Sequence, residues 1–555
     1  MGVLDVDSKS GKVRVSNSLQ MMAMFLSELT DESQLLQQML EDDPSEFENV
    51  ENRVHDIFNR GAGLFVAGIL AKVMQSEKHK LRGDAVRDRY ATPLRNGQDR
   101  KIRITFGSGF SCDGTTRYCQ PAQSTKDNPN PIPGIDVELS LFGFSEGNAP
   151  RLVSKVVRSA ALCGSLEQAR EELQRDGIVI SQDEQRGIVY QTGRELLTVR
   201  QRSIELFERG ELAAGTELAG KKISIQIDGG RTRMRSDMTP IDPIKNFAKT
   251  QSEATGRESQ GRSKEKKRTA TFQAEWKEPK LFKIYVHDDN GRVDHAYSER
   301  IDGSFGTADD IERLLAMRMY QLGVHAAKTI TFNSDGAQWI WDRIDAILAR
   351  AKVSPSVQVY KILDIYHASE NLNKGIKALG HLAPDSPDTV AASKPDTSVV
   401  RESISFEQLR SALRDGSWKA VVEKLEKASE CSMKNVGYDK QEVTRVIEYL
   451  RKHGEAGHMD YPMYSLSGFP LGSGSIESAM RRVVNQRLKG NGIFWKPDNA
   501  ECLLAIRSSV LSHRWDEDHA AAKQSMLKNR QLAFPKPKKK RKVISEAPEQ
   551  ASQKQ

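Results

Sequence analysis

KKISIQID, residues 221 to 228, is a short β-branched-rich run that predicts a strand ending on an aspartate, Asp228. Working outward, TATFQAEW from Thr269 and KLFKIYVHDD from Lys280 read as two further strands. A helical stretch from Ala308 to Ala327 precedes KTITFNSD, which ends on Asp335 and runs directly into a helix carrying Trp339 and Trp341. VYKILDIYH, residues 359 to 367, supplies a fifth strand that contains Asp364 and ends on His367. The order is then β-β-β-α-β-α-β, with acidic residues closing the first and fourth strands. From His367 to Pro470 the pattern turns helical and polar, broken by the loop PDSPDTVAASKPDTS. The pattern resumes at GSGSIESAMRRVVNQRLKG, where Ser475 reads as an N-cap and Glu477 falls in the first turn of a helix.

That order is what a ribonuclease H-like α/β sheet requires, so the expected fold class is α/β: a ribonuclease H-like catalytic core with an all-α insertion, preceded by a largely α-helical DNA-binding region. Phosphoryl transfer on DNA uses two metal ions about 3.5–4 Å apart. Hard oxygen ligands suit Mg²⁺, which keeps several waters and takes only a few carboxylates. Aspartates at the ends of neighbouring strands and a glutamate from a helix across the sheet meet that demand. Asp228, Asp335 and Glu477 are the expected catalytic and metal-binding residues, with Mg²⁺ or Mn²⁺, two ions per site. Taken alone, Asp228-Gly229 reads more readily as a turn; the combination carries the signal. Asp364, in the fifth strand, is a rival ligand.

QIDGGRTRMR, FNSDGAQWIW, ILDIYHASENL and GSGSIESAMRRVVNQRLKGNGIFW together span about half of the chain, from Ile223 to Trp495. In these motifs the sequence resembles bacterial insertion-sequence transposases of the DDE type, most closely the ISKra-type group, with Mutator-like transposases more distant. The last motif is the most specific. The resemblance implies a ribonuclease H-like fold, an Asp-Asp-Glu triad, dependence on divalent metal and an all-α insertion before the glutamate. It also implies hydrolysis at a transposon end and attack of the freed 3′-hydroxyl on target DNA, with no covalent protein–DNA intermediate. Asp364 and His367 look like the accessory Asp-x-x-His motif of Mutator-like enzymes; a His367 that merely caps or packs its helix is the competing reading. The implied partners are double-stranded DNA, as transposon ends and as target, and further copies of the chain assembled on it.

The chain has 555 residues, too many for one hydrophobic core, and carries a formal net charge of +8. Basic residues cluster in three places: Arg231 to Arg268, the helix after Glu477, and the tail from Lys536 to Lys542. Such clusters favour a polyanionic partner. Arg231, Arg233, Arg235, Arg481, Arg482, Arg487 and Lys489 are the candidate DNA-binding residues, each against the alternative of a solvated charged face. Trp495 is a candidate for stacking on an unpaired base, against core packing.

The expected segments are a helical module over 1–89, a small β-containing subdomain over 90–150 with VELSLFGF as a strand, and a helical region over 151–215 compatible with a helix-turn-helix. The core follows over 216–367, its insertion over 368–470, its C-terminal helices over 471–530, and a basic tail over 531–555. No apolar run approaches the roughly 18 residues of a membrane span, and the amino terminus lacks a secretory layout. A bacterial, nucleoid-associated cytoplasmic location is expected. The five scattered cysteines suggest no disulfide framework; Cys112 and Cys119 read as loop cysteines, with a structural zinc as the alternative. PKKKRKV, residues 537 to 543, matches a viral nuclear-import signal, and in a bacterial protein is either a basic DNA-binding tail or an added tag. The competing functions are an endonuclease on the same fold and a domesticated transposase that only binds DNA.

Overall fold

A computed structural model describes residues 4–6, 13–15, 18–88, 97–120, 134–237, 272–380, 405–433, 436–490 and 492–532. The PKKKRKV tail, the PDSPDTVAASKPDTS loop and most of the basic Arg231–Arg268 stretch lie outside these residues. The fold is mixed α/β, and it divides into two units: Met1–Ser159 with Arg170–Ile188 and Ala520–Gln555, and Ala160–Ala169 with Val189–His519.

In the first unit, β1 (Leu4–Val6) and β2 (Val13–Val15) pair antiparallel and are followed by helices α1 (Ser18–Asp42), α2 (Phe47–Gln75) and α3 (Glu77–Asp88). Among the described residues, Pro44–Gln75 is the one stretch long and apolar enough to cross a membrane by length and composition, with 28% of its most apolar window buried. Arg60 and Lys72 interrupt the apolar sequence, so only the average over a window brings it out.

β3 (Gln98–Thr105), β4 (Ser111–Cys119) and β5 (Ile135–Asp136) then form an antiparallel sheet in that order. VELSLFGF is not a strand. Val137–Ser140 is a helical turn that buries Val137 and Leu139, and Glu138 within it accepts hydrogen bonds from the backbone and side chain of Arg117. The cysteines are corrected too: Cys112 and Cys119 lie on strand β4, not in a loop. Seven residues of strand separate them by about 23 Å, too far to share a metal. Cys119 is buried against Ile135 and Val137.

Helices α5 (Pro150–Leu162), α6 (Leu166–Arg175) and α7 (Gln182–Glu208) follow a short α4 (Val137–Ser140). The expected helix, glycine turn and helix fall on α6, Gly177 at φ 74° and α7.

The second unit is built on a five-stranded sheet. β6 (Lys222–Gly229) buries every residue from Ile223 to Ile227, which marks it as a central strand. It pairs antiparallel with β9 (Lys280–Val286) and parallel with β11 (Thr329–Ser334). Outside these lie β10 (Arg300–Ser304), antiparallel, and β12 (Gln358–Leu363), parallel, giving the order β10-β9-β6-β11-β12.

One expected sheet strand is displaced. The TATFQAEW run forms β8 (Phe272–Lys277), which pairs not with the sheet but with β7 (Thr232–Asp237), as a separate antiparallel pair. Its place in the sheet is taken by RIDGS, β10, whose one large apolar residue gives little strand signal. Buried charge holds that strand: Asp302 lies 2.8 Å from Arg318, 3.4 Å from Arg200 and 4.0 Å from Arg300.

Helices cover both faces of the sheet. Phe282 and Ile284 point into one core, shared with the helix Ala308–Leu322 and with the helical segment after β12. Leu281 points into the other, shared with Ile476, Met480 and Leu503. Every described element from Ile365 to Leu466 is helical.

Candidate metal centre

The register of the parallel strands brings the aspartates together. Gln226 on β6 lies opposite Asn333 on β11, so Asp228 and Asp335, each two residues further on, end neighbouring strands at the same level. Ser334 lies opposite Leu363 on β12, which puts Asp364 at that level too. Gly229–Gly230 then turn the chain where space is short: a Cβ on Gly230 would stand 2.9 Å from the Met480 sulfur of the Glu477 helix (Gly474–Met480). Gly336, after Asp335, needs its left-handed φ of 84°.

Asp228 is half-buried, and burial, with the charges of Asp335 and Glu477, pushes its carboxyl up to about 6 against the Gly229 N–H and His367. Asp335 accepts a hydrogen bond from the Ala337 N–H at 3.0 Å. Glu477 accepts from the Ser473 hydroxyl at 3.2 Å, and its side chain is half-exposed. In each of the three carboxylates one oxygen accepts no hydrogen bond among the described residues.

Asp364 is different. It is fully buried and its acceptor positions are filled: Oδ1 takes the N–H groups of Tyr366 at 2.6 Å and His367 at 3.2 Å, and Oδ2 takes the Ser473 N–H at 2.5 Å and the Ser473 hydroxyl. It therefore caps the helix Ile365–Ala378 and ties it to the turn before Glu477. The expected N-cap, Ser475, lies inside the helix; Ser473 holds that position and spends its side chain on Asp364 and Glu477.

A second buried side chain fixes the same turn. Gln226 accepts from the Ile476 N–H at 3.0 Å and donates to the Gly472 carbonyl at 3.0 Å and to the Tyr285 hydroxyl at 3.0 Å. Gln226 and Asp364 thus hold the chain from Gly472 to Ile476 at both ends, immediately before Glu477, which lines the same cleft as Asp228. Sequence reasoning missed Gln226, Ser473 and Tyr285; a glutamine among buried isoleucines was the signal.

His367 Nδ1 stands 3.3 Å from Asp364 and 3.9 Å from Glu477, as an ion pair without the alignment of a hydrogen bond. The Asp364 carboxylate raises its pKa to about 9 against the pull of burial, helped by Asp335 and Glu477, so the imidazole is charged at neutral pH. By distance alone Asp364, His367 and Glu477 form a ligand trio, their atoms within 4.8 Å of one another. It is the one such trio among the described residues. In it Asp364 has its acceptor positions filled, whereas Asp228, Asp335 and Glu477 each keep an oxygen that accepts no hydrogen bond among the described residues.

A cleft of about 660 Å³ opens beside this set, lined by Asp228, Arg231, Glu278, Glu477, Asn485 and Lys489 among others. Directly after Glu477 the helix widens into one π-helical turn, Arg481–Asn485, before Asn485 and Lys489 reach the cleft. The buried guanidinium of Arg507 donates to the Arg482 and Val483 carbonyls of that turn.

The expected DNA contacts divide. Arg231, Arg481 and Lys489 are exposed, and Arg231 and Lys489 line the cleft. Arg233 and Arg235 are half-buried on β7, and Arg482 lies 3.6 Å from Glu299. Arg487 and Trp495 are corrected. Arg487 is 4% exposed, with its guanidinium carbon 5.3 Å from the Trp495 ring centre. Trp495 donates from its indole to the Leu488 carbonyl at 3.0 Å, packs on the Ile476 core, and pairs its backbone with Arg233 and Arg235. Both serve packing. Trp341 is buried and stacked on His458, and Trp339 packs against the same core.

No family model, curated protein or solved structure matches the chain.

Proposed function

We propose that this chain is a DDE-type DNA transposase with a ribonuclease H-like core, in which Asp228, Asp335 and Glu477 hold divalent metal for DNA strand cleavage and transfer. The observation that carries the reading is the level placement of Asp228 and Asp335 on neighbouring parallel strands, faced by Glu477 from a helix across the sheet. The order β10-β9-β6-β11-β12, with three antiparallel strands followed by two parallel ones, supports the core assignment. So do the resemblance of the four motifs and the helical insertion between Asp364 and Ser473.

Bound Mg²⁺ or Mn²⁺, two ions in this reading, would supply charge neutralisation and Lewis acidity at the phosphodiester. The chain's own groups do the rest. Arg231 and Lys489 lie where they would hold phosphates of the DNA strand in the cleft. Gln226, Asp364 and Ser473 orient Glu477, and His367 places a positive charge among the carboxylates. The DNA would be transposon ends and target, engaged by more than one copy of the chain, with the α6–Gly177–α7 segment as a further contact.

The test is a joining assay with Mg²⁺ and DNA from the flanks of the chain's own gene. The wild type is expected to cut and to join the freed 3′-hydroxyl to target DNA. Asp228→Asn, Asp335→Asn and Glu477→Gln are each expected to lose both reactions while still binding DNA. Cutting without joining would favour an endonuclease, and binding without cutting a DNA-binding regulator.

A further inference from the structure

β8 carries an exposed aromatic, Trp276, two residues from the cleft-lining Glu278, and the residue is 57% exposed. The Arg233 guanidinium carbon lies 5.1 Å from the Trp276 ring centre and 5.8 Å from that of Phe494, within cation–π range of both. The contact backs the indole, and the residue stays open to solvent.

Position gives the indole a use. Arg233 pairs with Trp276 and Thr232 with Lys277, so the next pair inward is Arg231 and Glu278, which both line the cleft. Trp276 stands two residues outward from Glu278 on the same side of its strand, about 7 Å along the strand. That is the order of one nucleotide step. Arg231, just before β7, and Arg233 and Arg235 on it make this edge attractive to a phosphate backbone.

Resting on the function proposed above, we infer that Trp276 and Arg233 form a stacking platform for one unpaired nucleobase, adjacent to the nucleotide whose phosphate lies in the cleft. A duplex end would have to unpair that base to use it. Stacking on an aromatic is tolerant of base identity, so the platform distinguishes unpaired from paired DNA and does not read sequence.

The test uses the full chain in the presence of chelator, so that no cutting occurs, with two DNA probes of equal length. One is a blunt duplex; the other carries a short single-stranded end with 2-aminopurine in it. The wild type is expected to bind the single-stranded end more tightly and to change the 2-aminopurine fluorescence. Trp276→Ala is expected to lose that preference, on the order of tenfold, and the fluorescence change, while binding the duplex as before. Trp276→Phe is expected to restore most of both. If Trp276→Ala keeps the preference and the signal, the platform is overturned and the carboxylate site stands untouched. If the wild type binds neither probe, the reading of the whole chain falls with it.

Discussion

A glutamine buried in a strand of isoleucines costs about 1–3 kcal/mol unless its polar atoms are matched. Gln226 meets that condition only through the turn that precedes Glu477 and through Tyr285. Gln226→Leu would leave the Gly472 carbonyl without its donor and the Ile476 N–H with the Ser473 carbonyl alone. The expected loss is about 1–3 kcal/mol of stability, measured as a lower urea midpoint at unchanged slope; an unmoved midpoint contradicts the clamp. At this scale much of the site was legible. Asp228 and Asp335 carry little signal singly, since an aspartate at a strand end is common, and stand out only in combination with each other and with Glu477 in the first turn of a helix. Asp364 was visible as a residue but not as a cap, since its partner Ser473 lies far along the chain. Arg487 and Trp495 misled for the same reason: an arginine beside an exposed Lys489 looks like a surface cation until the helix packing buries it.

Among the elements, β10 is the one that charge sustains. Burial pushes the Asp302 carboxyl up, but Arg318, Arg200 and Arg300 overcome it and hold the group down at about 2. The folded value therefore lies below the unfolded 3.8, so the carboxylate's contribution is full above 3.8 and is lost as the pH falls towards about 2. Unfolding by urea between pH 5 and 2 should show this acid limb in the wild type. Asp302→Asn should flatten that limb and, by leaving the buried Arg318 without its ion-pair partner while Arg200 keeps Glu501 and Arg300 keeps Asp518, cost about 3 kcal/mol at neutral pH. Parallel acid limbs in the two proteins would contradict the assignment. The same chemistry explains why RIDGS was not read as a strand. Its place in the sheet depends on partners from α7 and from the helix Ala308–Leu322, which no local pattern records. VELSLFGF failed in the opposite sense: its apolar spacing fits a strand, but Glu138 binds Arg117 and the segment closes into a helical turn. The central strands, being apolar and β-branched, were readable without such help.

For the molecule as a whole, the catalytic proposal rests on the second unit, whose sheet, helical cover and cleft lie within Val189–His519. The broad division into helical, β-containing and α/β stretches was legible because each changes the periodicity of its apolar residues. The net charge of +8 suits a DNA partner in the proposed reading, which rests more on the placement of Arg231 and Lys489 in one cleft with Asp228 and Glu477. The most direct measurement is anomalous diffraction at the manganese edge from crystals of the chain bound to DNA in Mn²⁺. The account predicts two peaks, both ligated by Asp228, with Asp335 and Glu477 each contributing to at least one. A lone peak at Asp364, His367 and Glu477, or no peak with DNA in the cleft, would contradict it.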